Sequence, residues 1–391
     1  MMRKYPVFAL LLALPSFLSA QISYELNTGW KCQAIGKIHA TGEKLSQSGY
    51  STSGWLEATV PGTVLTTLIN NHLEPDPFYG LNNEKTPDIY TTGRDRYTYW
   101  FVKNFKETVP TGNQQVWLDL RGVNYSCEIF LNGQKLNEHT HYGMYLRQSY
   151  NITKALAHNG ENRLAILVYP PDPVGNPNGG QGGDGEIARN VTHQYVAGWD
   201  WIQPIRDRNT GIWDKVTIHH TGGTVRIRNP HIITEVSGVR YPDIAARQQA
   251  PAVLRVSAEL ENTGADTVTG KLSYILDGAT TTATVRLAPG ITNEIRLPFH
   301  IIEHPRLWWP NGYGTQELYH TQLTFTGSDA IPLDFGVREL ATSWNSTTRS
   351  RQLTVNGQKI FIKGGNYIVS DELLRLSPER YDAEVRFHRD M

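Results

Sequence analysis

Trp199-Asp200-Trp201 sets one carboxylate between two indole rings. A carboxylate can accept two neighbouring hydroxyls while an indole offers a flat apolar wall, a combination suited to one pyranose ring. The same residue types also have a structural use: tryptophans fill the cores of β-sandwiches, and an aspartate caps turns. Asp200 and Trp199 are read as ligand contacts and Trp201 as core. Arg206-Asp207-Arg208, a few residues on, reads as a salt-bridged loop anchor. Asn83-Glu84, Asn137-Glu138 and Asn293-Glu294 each set an amide beside a carboxyl group and read as surface turns. The two cysteines, Cys32 and Cys127, either pair or stay as separate buried thiols. Their spacing suggests no metal site.

β-structure must position these residues. Short strands are expected at 96–105, 116–123, 128–131, 163–169 and 216–220, with one helix at 64–71. Asn132-Gly133, between two apolar runs, predicts a tight hairpin because both turn positions need positive φ. The Pro- and Gly-dense stretch 170–186 must be a loop. A second all-β block follows, with strands at 253–260, 271–276, 284–287, 294–299 and 316–324. About seven short strands in roughly 110 residues suggest an immunoglobulin-like sandwich. Further on, Asn356-Gly357 predicts a hairpin between 353–355 and 360–362. Ser377-Pro378 opens a helix, with serine as N-cap and proline at the first helical position. One strand and one helix cannot bury both of their faces. Residues 346–391 therefore read as the start of a third domain, mobile beside two sandwiches that fold without it.

A chain of 391 residues has room for two to three domains. Lysine plus arginine equals aspartate plus glutamate, 37 each, which leaves no electrostatic reason to expect nucleic acid or an anionic membrane as partner. Arg3 and Lys4, the apolar run 7–18 and the small residues Ser19-Ala20 have the form of a secretory signal peptide cut after Ala20. That run is shorter than the roughly twenty apolar residues a spanning helix needs. A secreted or periplasmic protein is expected.

Three segments, in order, carry a resemblance. Trp55-Leu-Glu-Ala-Thr-Val-Pro-Gly-Thr63 and Pro75-Asp-Pro-Phe-Tyr-Gly80 come first. Gln194-Tyr-Val-Ala-Gly-Trp-Asp-Trp201 and Pro204-Ile-Arg-Asp-Arg-Asn-Thr-Gly-Ile-Trp213 follow. Phe335-Gly-Val-Arg-Glu339, Val355-Asn-Gly357 and Ile362-Lys-Gly-Gly-Asn366 complete the set. Together they resemble glycoside hydrolase family 2, in its β-mannosidase branch.

The resemblance implies a mainly β chain. Behind a signal peptide at 1–20 it implies a jelly-roll sugar-binding domain at 21–222 and an immunoglobulin-like β-sandwich at 223–341. The beginning of an incomplete (β/α)8 barrel would occupy 342–391. It also implies retaining hydrolysis of β-mannosidic bonds in an oligosaccharide or glycan, without cofactor or metal. That chemistry needs two carboxyl groups about 5 Å apart. The family carries them on later barrel strands, so none is expected in this chain, which would then be inactive alone. By the same resemblance the loop of Asp200 reaches over the barrel mouth. Asn366 and Asp371 follow the first barrel strand, where polar side chains face substrate, and Tyr367 stands where related enzymes carry Trp. Asp371 has the alternative of capping the turn before Leu373. Exo-β-D-glucosaminidase or another family 2 β-glycosidase is the other enzyme reading. A non-catalytic carbohydrate-binding module is the reading outside that class.

Overall fold

The computed structural model describes residues 23–176, 189–198 and 201–391. The expected signal peptide, most of the Pro/Gly-rich loop and both Trp199 and Asp200 lie outside the described residues.

The first body is two antiparallel sheets face to face. One runs Ser23–Glu25, Val216–Thr221, Gln115–Leu120, Gln148–Asn151; the other is centred on Tyr99–Lys106, Glu161–Tyr169 and Ser126–Leu131. Glu161–Tyr169 is buried along nearly its whole length because both of its faces are covered. Leu164, Ile166 and Val168 enter the sandwich core with Trp30, Phe101 and Leu118. Ala165 and Leu167 point the other way, into a smaller core with Leu45, Trp100 and Phe130. Alternation of side chains along a strand produces this division. The outer core is roofed partly by the short helix Gly42–Leu45, where any Cβ on Gly42 would run into the Phe130 ring. Asn132 and Gly133 take φ of 50° and 87°, the hairpin geometry expected of them. Arg94–Tyr97 forms a helical turn instead of the start of a strand, and the strand begins at Tyr99. Cys32 and Cys127 are separate, buried thiols, and burial pushes each up to about 12.

The second body is a sandwich of Val225–Glu235, Ala252–Asn262 and Thr292–Arg296 against Ala279–Leu287, Val268–Leu276, Tyr319–Phe325 and Asp329–Phe335. Strict in–out alternation along Ala252–Asn262 aims Leu254, Val256, Ala258 and Leu260 at Leu272, Tyr274, Leu323 and Phe325. Arg226 clamps the two bodies, reaching Asp119 at 2.7 and 2.9 Å and lying 4.5 Å over the Trp117 ring.

Three expectations need correction here. Asn293-Glu294 lies in the strand Thr292–Arg296, paired to Ala252–Asn262, and is not a turn. Asn137 is buried: its Oδ1 accepts from Ile129 N–H and its Nδ2 donates to the Cys127 and His139 carbonyls, so this amide braces a strand end. The arm expected at 360–362 is Gln358–Lys359 instead. Ile360 packs toward the second core, and Phe361 N–H donates to Tyr313 Oη at 2.7 Å, which takes it out of the ladder. Val355 also packs in the second core.

The C-terminal stretch also departs from expectation. Leu373 is buried among Leu65, Ile202 and Ile205. Thr66 Oγ1 donates to the Leu373 carbonyl at 3.3 Å, and Asn209 Nδ2 to that of Glu372 at 2.7 Å. Burial plus hydrogen bonds hold residues 371–375 against the first body, so the whole stretch is not free. The helix Pro378–Asp390 follows, with Ser377 Oγ accepting from Arg380 N–H. No complete barrel is present among the described residues.

Candidate functional site

A tightly anchored loop, residues 204–210, follows the Gln194–Trp201 run. Arg208 and Asn209 take φ of 51° and 57°, which turns the backbone sharply. The fully buried Arg208 guanidinium donates to both oxygens of Asp88 at 3.0 Å, and to the carbonyls of Ile205, Val174 and Gly175. Asp207 Oδ2 accepts from Leu65 N–H at 2.7 Å and Oδ1 from Asn209 N–H at 2.9 Å. Burial pushes the Asp207 carboxyl up to about 6, against the pull of those backbone donors. The charged triple is therefore an anchor.

The helix His193–Ala197 begins at Thr192, whose Oγ1 accepts from Tyr195 N–H, and ends at Gly198 with φ of 85°. Gln194 is sealed inside, where its Oε1 accepts from Ile205 N–H at 2.9 Å and its Nε2 donates to the Gly198 carbonyl at 3.1 Å. One side chain thus ties both ends of the segment that contains Trp199 and Asp200. No periodicity or spacing singles out Gln194. The only hint was its place in the Gln194–Trp201 run.

Above this base lies a cleft of about 440 Å³. His193, Val196, Ala197 and Trp201 form one wall, and Asn366, Tyr367, Ile368 and Val369 the other. Trp201 is 68% exposed, so it is not the core residue expected. Its indole contributes to the cleft because the core beneath is already filled by Leu65, Ile202 and Ile205. Tyr367 also borders a second cavity of about 630 Å³ with Tyr381, Glu384 and His388. Its hydroxyl donates to Glu384 Oε2 at 2.5 Å, and that carboxylate pushes the phenol up to about 12.

The fold brings Asn366 and Tyr367 together in the cleft and leaves Asp371 out of it. Asp371 is fully buried; Oδ1 accepts from Leu373 N–H at 3.0 Å, and Oδ2 from Arg375 and Arg380 at 2.7 and 3.2 Å. Arg375 continues to Asp76 at 2.8 Å, so the ion pair ties this stretch to the first body. Among the described residues lining the two cavities, Glu384 is the one carboxylate, and it is engaged by Tyr367, Ser370 and Arg380. Two carboxyl groups facing one bond, as double displacement requires, are not brought together there. No group of three His, Cys, Asp or Glu placed to hold a metal occurs among the described residues. None of their helices is long and apolar enough to cross a membrane.

Comparison with known proteins gives the following. Residues 30–214 match the family profile described as glycosyl hydrolase 2 galactose-binding domain-like, and residues 225–338 match glycosyl hydrolases family 2. A mannosylglycoprotein endo-β-mannosidase of Lilium longiflorum is 43% identical, over 94% of this chain and 39% of that protein. An exo-β-D-glucosaminidase of Streptomyces avermitilis is 30% identical, over 93% of this chain and 38% of its own length. Among solved structures, the exo-chitosanase CsxA of Amycolatopsis orientalis superposes with a TM-score of 0.75 at 25% identity, covering 94% of this chain and 39% of that one. The β-D-mannosidase of Dictyoglomus thermophilum shares the fold at a TM-score of 0.68 and 24% identity, over 93% of this chain and 42% of its own. The chain spans about two fifths of the length of these relatives.

Proposed function

The chain belongs to glycosyl hydrolase family 2, and we propose that it supplies the sugar-contacting front of a secreted, retaining β-glycosidase that cleaves β-mannosidic bonds in a glycan. The observation that carries the reading is the cleft that Trp201, Tyr367 and Asn366 line together. Two aromatic surfaces and an amide match the C–H face and hydroxyl edge of a pyranose. Asp200 and Trp199 adjoin Trp201 in sequence, and we assign the Asp200 carboxylate to hydroxyls of the terminal sugar. Asn366 and Tyr367 complete the opposite wall. Asp371 fixes that wall in place through Arg375 and Arg380.

Double displacement needs a nucleophile and an acid/base, and we propose that neither is among these 391 residues. The basic start, apolar run and Ser19-Ala20 support export. Hydrolysis of β-glucosaminides is the second reading, favoured by the Streptomyces relative at 30% identity. The test is to incubate the purified chain with aryl β-mannoside and aryl β-glucosaminide, and to titrate it with β-1,4-mannobiose. Binding without turnover is expected. Turnover that copurifies with the chain would contradict the assignment.

A further inference from the structure

His193 opens the helix His193–Ala197, and the residue is among those lining the cleft, with Trp201, Asn366 and Tyr367. The residue is 8% exposed, and its Nε2 is buried without any hydrogen-bond partner. Most buried side-chain polar atoms in folded proteins do find a partner, so this nitrogen is an exception that the fold alone does not explain. Desolvation holds the imidazole below its ordinary pKa and so neutral near pH 7. A neutral ring has one N–H donor and one bare acceptor nitrogen, the complement of a hydroxyl. The backbone beneath is held in place: His193 N–H donates to Met144 Sδ at 3.2 Å, and Gln194 is locked on both sides. What can change is the ring's turn about Cβ–Cγ, which exchanges carbon for nitrogen at each edge. In a residue that lines the cleft, that turn can bring a nitrogen to its edge.

We propose that His193 is a specificity-determining residue of the cleft, its imidazole exchanging a hydrogen bond with one hydroxyl of a bound, uncharged hexose. The inference rests on reading the cleft as a sugar site. It assigns the unpartnered nitrogen a partner that arrives with the ligand.

The test uses the 391-residue chain and β-1,4-mannobiose as probe. Affinity is measured for wild type, Trp201→Ala, His193→Phe and His193→Gln, and the imidazole ¹⁵N shifts of His193 are followed in wild type. Trp201→Ala should weaken binding about ten-fold or more through loss of the stacking wall. His193→Phe, which keeps the ring and removes both nitrogens, should weaken it about ten-fold. His193→Gln keeps a donor and an acceptor and should recover part of that loss. Mannobiose should also shift the His193 ring nitrogens, a readout on wild type that stands even where the Phe variant does not fold. If Trp201→Ala weakens binding while both His193 variants bind like wild type and the ¹⁵N signals stay put, the His193 proposal is overturned and the sugar cleft survives. If wild type does not bind, or Trp201→Ala has no effect, cleft and proposal fall together.

Discussion

Replacing Arg208 with alanine should unfold the first body more readily than any surface change. The guanidinium is fully buried and makes paired bonds of 3.0 Å to Asp88, itself 5% exposed. It also donates to the carbonyls of Ile205, Val174 and Gly175 at 2.7, 2.8 and 3.1 Å. Arg208→Ala leaves the Asp88 carboxylate with the Tyr90 N–H at 2.8 Å and one cation, Arg206, at 3.4 Å. Removing one member of a buried ion pair costs about 3–5 kcal/mol, because the other charge stays out of water uncompensated. For a body of about 200 residues, each kcal/mol moves the melting temperature by about 2–4 °C, so a fall of roughly 6–20 °C is expected. Arg208→Met restores volume without charge and should lose nearly as much, which separates charge from cavity. Adding Asp88→Asn to Arg208→Met should recover about 1–3 kcal/mol, since the stranded charge is then gone. Urea unfolding followed by tryptophan fluorescence gives all three numbers. A loss below about 1 kcal/mol in Arg208→Ala would refute the reasoning, because it would place Asp88 in contact with water.

Further expectations concern Asp207 and Leu373. The folded Asp207 carboxyl titrates at about 6 against 3.8 ordinarily, so between those values the folded chain holds a proton that the unfolded chain has lost. Its contribution to stability therefore falls as pH rises through that window, by about 2–3 kcal/mol in all. Asp207→Asn should remove this component from denaturation curves taken between pH 4 and 6.5, and an unchanged slope would contradict it. Leu373→Ala should cost about 2–5 kcal/mol of docking. Limited proteolysis should then release the stretch after Lys363, which wild type protects; equal cleavage rates in both would contradict the docking.

The sheets were legible because their signals are local. Asn132-Gly133 and Asn356-Gly357 demanded positive φ and have it, at 50° and 87° and at 50° and 78°. Ser377-Pro378 likewise marks the helix start where it occurs. The helix Gly42–Leu45 escaped notice because four residues show no periodicity, yet it helps roof the second face of the central sheet. Docking of Leu373 was hidden for another reason: its partner Leu65 is some three hundred positions away, and no local pattern encodes that contact. In the site, Asn366 and Tyr367 share a wall of the cleft, while Asp371 turned out to serve the ion pair that holds this stretch. Trp201 was ambiguous because an indole suits core and cleft equally, and only the prior filling of the core decides. His193 and Gln194 carried no signal apart from their neighbourhood. A buried imidazole or amide is recognised by what surrounds it, not by its position in the sequence.

The central claim is that the cleft between the helix His193–Ala197 and the 366–369 wall holds a sugar through Asp200. The measurement that tests it most directly is the affinity of Asp200→Ala for β-1,4-mannobiose, taken together with its melting temperature. Loss of charge-assisted hydrogen bonds worth about 1.5–3 kcal/mol should weaken binding about ten- to a hundred-fold. The melting temperature should barely move, since a carboxylate that meets ligand in a wet cleft does little for the core. A variant that binds mannobiose like wild type but melts several degrees lower would make Asp200 a turn cap and contradict the account.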